Sequence, residues 1–173
     1  NILLGLYPEY DLEDVILDKK SIKNIIIKTP QGIDIIPGSS GVEKLANLEA
    51  EEIDHLVKSF SELEEYDYFL FDTSAGITKN VISFCLASSE VVIVITPEPT
   101  SLTDAYALLK VLFLNNFKGQ VRIIVNQCKN TRVASQTYSK FKEVVQKYLT
   151  VDLVPLGVVV QYPKDHKSVH KQK

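Results

Sequence analysis

Five consecutive residues, Val91-Val92-Ile93-Val94-Ile95, are apolar and β-branched without exception. A strand with one wet face alternates apolar and polar residues. A run with no polar position predicts a strand covered on both faces, the habit of parallel sheets. Parallel neighbours need crossovers of a dozen or more residues, usually helical, and the flanking sequence offers them. Ile53, Leu56, Val57, Phe60 and Leu63 follow the i, i+3, i+4 pattern of an amphipathic helix, and Lys79–Ala87 reads as another. Leu102, Ala105, Tyr106, Leu109, Leu112 and Phe113 form a third stripe, opened by a capping-box-like Ser101-Leu102-Thr103-Asp104 and closed by Gly119. Ala134–Leu149 reads as a fourth helix, with Tyr138, Phe141, Val145 and Tyr148 on one face. Between these lie further strands: Tyr68–Phe71, buried and ending at Asp72; Val121–Asn126; and Leu156–Val160. Ile25–Ile27 and Ile33–Ile36, separated by Gln31-Gly32, read as a hairpin-like pair. Strand and helix alternate, so the expected fold class is α/β: a mostly parallel sheet flanked by helices.

With 173 residues the length suits one domain. The 19 basic and 22 acidic residues give a net charge of −3, so no global basic field exists and direct nucleic-acid binding is not expected. No apolar run approaches the roughly 20 residues that span a bilayer. Cys85 and Cys128 form neither a CxxC nor a metal spacing, which suits a reduced compartment. There is no Met, and Asn1-Ile-Leu-Leu-Gly5 already looks like structured apolar sequence, so the chain reads as a fragment or trimmed product.

In an open α/β sheet, ligands bind beyond the carboxyl ends of the strands. Four residues, Tyr68-Phe69-Leu70-Phe71, followed by Asp72 fit the Walker B pattern, whose carboxylate holds Mg²⁺; a turn or cap Asp would look the same. Gly76 lets a backbone approach a γ-phosphate and swing when it leaves. Asn126 ends a strand where its amide could read a nucleobase edge, or simply make an Asx turn. Glu98, between Pro97 and Pro99, is either a rigid acceptor for a ribose hydroxyl or partner subunit, or a solvated loop acid. Pro37–Lys44 is not a P-loop: Gly41 is followed by Val42 rather than Lys, and Ser39 or Ser40 reads as a helix cap. No other stretch supplies the G-x-x-x-x-G-K-[ST] pattern. His166 and His170 are four apart, but only Asp165 accompanies them. Lys164–Lys173, with four lysines and one Asp, reads as a solvated basic tail.

Taken together these segments resemble the MinD/ParA family of deviant Walker A ATPases, most of all its FlhG (FleN or YlxH) branch. The resemblance runs over essentially the whole chain. It rests on Ile35–Gly41, Leu45–Leu48, Tyr66–Ile77 and above all Thr96-Pro-Glu-Pro-Thr-Ser-Leu-Thr-Asp-Ala-Tyr-Ala-Leu-Leu-Lys110. It implies a three-layer P-loop NTPase-like domain, incomplete at the N-terminus, with residues 1–173 its C-terminal portion. It implies ATP and Mg²⁺ as cofactors, with Asp72 the Walker B metal ligand, Gly76 in switch II and Asn126 contacting adenine. Tyr162–Asp165, including Pro163 and Asp165, would border the adenine, and Glu98 would reach the nucleotide across an ATP-bound homodimer. Ser74 departs from the Gly usual there. The family's Walker A loop and switch I Asp would lie upstream of Asn1, and its membrane-targeting helix downstream of Lys173. The implied protein is cytoplasmic and peripherally attached to the inner membrane, works with flagellar assembly or regulatory proteins, and limits flagellar number or placement. The alternatives are a non-catalytic interaction module with the same fold, or a division-site or partitioning ATPase.

Overall fold

The computed structural model describes residues 7–30, 32–38 and 49–161. These divide into two compact units, one running to Ser74 with Thr78–Ser83, the other comprising Ala75–Ile77 and Phe84 onward.

The first unit begins with α1 (Leu12–Ile16). Asp11 caps it by accepting from the Glu13 N–H at 2.8 Å, and the Asp14 carboxylate accepts from the Asp11 N–H at 3.2 Å. A 3₁₀ turn, Ile22–Ile25, follows. α2 (Ala50–Phe60) is the expected amphipathic helix. Val15, Ile22, Ile25, Ile53, Leu56 and Leu63 are its buried apolar core. The anticipated isoleucine hairpin is one antiparallel bridge, in which Ile27 and Ile35 exchange hydrogen bonds of 2.8 and 2.9 Å. Ile25 is spent in the 3₁₀ turn instead. A polar triangle pins this bridge to the segment after α2. Lys28 Nζ donates to Asp34 Oδ2 at 2.5 Å and to the Tyr66 hydroxyl at 2.8 Å, and that hydroxyl donates to Asp34 Oδ2 at 2.5 Å.

The expected buried strand at Tyr68–Phe71 is not one. No strand is formed there, and the segment joins no ladder among the described residues. Tyr68 and Leu70 are 91% and 90% exposed. Phe69 and Phe71 turn the other way, edge-on to Phe60 at ring-centroid distances of 5.8 and 4.9 Å. Residues i and i+2 on one side is what an extended backbone gives. The apolar run therefore has strand character without a strand partner among the described residues, and Phe60 meets both of its inward rings, with Tyr66 also against Phe69 at 5.9 Å.

α3 (Lys79–Ala87) has the bounds that the sequence suggests and is divided between the units. The second unit is built on a parallel three-stranded sheet in the order β1 (Glu90–Ile95), β2 (Gln120–Cys128), β3 (Leu153–Val160). α4 (Pro99–Leu114) and α5 (Thr131–Tyr148) are the crossovers, α4 packing on β1 and α5 on β2 and β3. Val91, Ile93 and Ile95 are buried with Val121, Ile123 and Val125, in a core completed by Leu109, Leu112, Phe141 and Val145. Val92 and Val94 are 39% and 54% exposed, so β1 is covered on one face rather than two. Both crossover helices serve the buried set, and Arg122 stands on the other set, its guanidinium forked onto Glu90 at 2.8 and 2.9 Å.

Helix ends depart from expectation for identifiable reasons. α4 starts at Pro99, with Glu98 as N-cap, because proline's fixed φ suits the first helical position. Ser101 thus lies inside the helix, where its hydroxyl accepts from the Thr96 N–H at 3.0 Å instead of capping. The helix stops at Asn116, left-handed at φ 58°; Asn116 N–H reaches Phe113 O and Phe117 N–H reaches Leu112 O, both at 3.0 Å. That is a Schellman ending with Asn where Gly is usual. Gly119 serves a close approach instead: a Cβ there would sit 2.4 Å from Ser89 O. α5 starts early because Asn130 caps it, accepting from the Val133 N–H at 2.9 Å. Tyr138 donates to Leu153 O at 2.7 Å, fastening α5 to β3, while Tyr148 is exposed rather than on the buried stripe.

Candidate functional site

Parallel pairing fixes where the second unit's polar groups gather. Ile95 is in register with Val125, so the loop that carries Glu98 and the last residues of β2, with Asn126, lie at the same carboxyl end of the sheet. Glu98 stands at the N-terminus of α4. Its N–H donates to Thr96 Oγ1 at 3.4 Å and its carbonyl accepts from Leu102 N–H at 3.3 Å. Its carboxylate is exposed and makes no capping bond. Two prolines and the Thr96–Ser101 bond stiffen this tip.

β2 ends in an irregularity that no residue pattern announces. Val125 pairs with Val158 and Cys128 with Val160, so Asn126 and Gln127 together oppose Val159. Two residues against one is a β-bulge, a device that re-aims side chains at sheet ends. Gln127 accommodates it at φ 55°, a left-handed conformation that costs a non-glycine residue about 1–2 kcal/mol. The Gln127 N–H donates to Asn126 Oδ1 at 2.8 Å. Asn126 therefore makes the local turn and, half-buried, keeps its Nδ2 group and a second Oδ1 lone pair for a ligand. The two readings of Asn126 are compatible. Below it, Cys128 is buried, its Sγ 3.6 Å from Asn126 O. Desolvation pushes the thiols of Cys128 and Cys85 up, so neither is an activated nucleophile.

Gly76 belongs to this same unit, at φ 105°, which requires glycine although nothing would touch a Cβ there. Asp72 belongs to the first unit. It follows an exposed segment instead of ending a buried strand, and its carboxylate is exposed. As a hard oxygen donor with no protein partner among the described residues, it suits a magnesium ion that keeps most of its waters. Among the described residues no three His, Cys, Asp or Glu gather as a metal site. Pro163 and Asp165, with Tyr162, Lys164, His166, His170 and the basic tail, lie outside the described residues, as do Ser39 and Ser40. Also among the described residues, no helix is long and apolar enough to cross a membrane.

No family model matches the chain. The antiactivator FleN of Pseudomonas aeruginosa is 33% identical to it over 174 residues, covering 100% of this chain and 62% of FleN. The flagellum site-determining protein YlxH of Helicobacter pylori is 31% identical over 99% of this chain and 60% of its own length. These matches run along the whole chain and support placing it with the MinD/ParA family. Within that family it stands with FleN and YlxH; the septum site-determining protein MinD of Bacillus subtilis is 26% identical over 92% of the chain. MinD of Aquifex aeolicus shares the fold, with a TM-score of 0.73 over 94% of this chain and 66% of that one at 22% identity. A plasmid partition protein of Borrelia burgdorferi does so at 0.70 over 93% of this chain and 68% of that one, at 20% identity. The chain spans about three fifths of the length of the curated relatives that it matches.

Proposed function

We propose that these 173 residues are part of a single ATPase domain of FlhG type, and that the intact protein is an ATP- and Mg²⁺-dependent switch governing flagellar number or placement. The observation that carries the nucleotide reading is the β2 bulge. It leaves a half-buried, oriented amide at the carboxyl edge of a parallel sheet, where α/β folds bind their ligands. The flagellar part rests on the named roles of FleN and YlxH, an antiactivator and a flagellum site-determining protein.

In this reading Asn126 holds the adenine and Asp72 holds Mg²⁺, directly or through water. Bound Mg²⁺ would neutralise charge that builds on the phosphates. Gly76 gives its loop the freedom to follow the γ-phosphate. Glu98, stiffly presented at the tip of its loop, would meet a second copy in an ATP-bound homodimer. The phosphate cradle would come from a Walker A loop, which residues 1–173 do not contain. Association with the inner membrane face and with flagellar assembly proteins completes the switch. The likeness to MinD and to a plasmid partition protein favours, as second reading, a division-site or partitioning role for the same chemistry.

The test is Asp72→Ala in the intact protein. The variant folds normally, since an exposed carboxylate contributes little to stability, and hydrolyses no ATP. Turnover at the wild-type rate would remove Asp72 from the metal site; absence of any ATP turnover in the intact wild-type protein would leave a non-catalytic interaction module as the better account.

A further inference from the structure

We infer that Gln127 is a positioning residue that sets which purine the site accepts. The inference rests on Asn126 being the base-contacting residue. A free side-chain amide can turn over by a half-rotation, exchanging its carbonyl and amino groups. In one orientation it pairs with a 6-aminopurine, accepting from the exocyclic amine and donating to a ring nitrogen. In the other it pairs with a 6-oxopurine, donating to the carbonyl and accepting from N1–H. An unrestrained Asn therefore discriminates poorly between the two.

Here the amide is restrained. The Gln127 N–H points at Asn126 Oδ1 from 2.8 Å. A flipped amide would bring Nδ2–H against that N–H, donor facing donor. The restraint holds because Gln127 is left-handed at φ 55°, within a bulge anchored on both sides: Val125 pairs with Val158, Cys128 with Val160, and Gln161 N–H donates to Cys128 O at 2.9 Å. The Gln127 side chain is exposed, so its role is carried by the backbone. The oriented amide keeps one oxygen lone pair and two N–H donors for the base in a fixed order, so for a base held in one seat it matches only one of the two purines, the 6-aminopurine in the ATP reading.

The experiment measures Kd for Mg·ATP and Mg·ITP by calorimetry on the intact protein and three variants. The two nucleotides differ only at the purine 6-position and its consequence at N1, so triphosphate contacts cancel in the ratio. Wild type should favour ATP by about tenfold or more, the scale of a bidentate amide–base pair. Gln127→Gly keeps the N–H and tolerates the left-handed backbone, and should keep the ratio. Gln127→Val disfavours that backbone and should bring the ratio to within about threefold of unity. Thermal unfolding verifies that each variant is folded, and the glycine variant separates loss of the side chain from loss of the conformation. Equal ATP and ITP affinities in wild type, or a ratio that Gln127→Val leaves intact, would overturn the inference. Asn126→Ala reports on the reading beneath it: unchanged ATP affinity in that variant would remove Asn126 from the site altogether.

Discussion

Phe60 is the attachment point of the segment that carries Asp72. The backbone there joins no ladder among the described residues, Tyr68 and Leu70 are exposed, and Phe69 and Phe71 meet Phe60 edge-on, at interplanar angles of 65° and 87°. Replacing Phe60 with alanine removes both contacts in one step. A fully buried Phe→Ala change costs about 3–5 kcal/mol; Phe60 is half-buried, which scales the loss to about 2 kcal/mol. Two edge-to-face pairs account for at least about 1 kcal/mol of that. For a chain of this length the melting temperature should fall by about 4–8 °C. Limited chymotrypsin digestion should show faster cleavage at Tyr68–Phe71, because the aromatic residues lose what restrains them. A variant that melts within a degree of wild type and is cleaved there no faster would refute the claim that Phe60 holds this segment.

Gly119→Ala forces a methyl to 2.4 Å from both Ser89 O and Phe117 Cζ. The ring can swing away but the carbonyl, which also accepts from Gln120 N–H at 3.0 Å, cannot, so the variant should lose about 1–3 kcal/mol in urea unfolding. The Asp34 carboxyl lies below the ordinary carboxylate range because Lys28, and then Tyr66, donate to it. As pH falls the unfolded chain takes up the proton first, so this stabilisation is complete above the unfolded value of about 3.9 and is lost below it, as the folded carboxyl titrates. Asp34→Asn should accordingly flatten the acid limb of the stability–pH curve while lowering the plateau. An acid limb of unchanged slope would show that the triangle contributes nothing to it.

Where local pattern and tertiary packing agree, the sequence was sufficient. Lys79–Ala87 needed only its apolar spacing, and the crossovers followed from the β-branched run. The failures have two physical origins. One is that a strand is a property of a pair: Tyr68–Phe71 has every residue preference of a strand, and no preference reveals whether a partner lies beside it. The same holds for the open set of Val92 and Val94, since a uniform apolar run states what could be covered, not what is. The other origin is backbone geometry that residue identity does not announce. Gly119 looked like a helix stop because glycine usually is one, yet Asn116 takes that place and Gly119 clears a carbonyl. Gln127 in the left-handed region carried no signal at all, because glutamine is not a residue expected there. Asn126 was legible as a candidate from its place at a strand end. The bulge that orients its amide was not.

The account stands on the carboxyl edge of the sheet being where the adenine sits. The most direct test is photolabelling of the intact protein with Mg²⁺ and 8-azido-ATP, followed by trypsin digestion and mass spectrometry. Cleavage after Arg122 and Lys129 isolates Ile123–Lys129, the peptide that carries Asn126 and Gln127. The account predicts label in that peptide, suppressed by excess ATP. Label confined to peptides of the first unit, or label in Ile123–Lys129 that excess ATP does not displace, would contradict it.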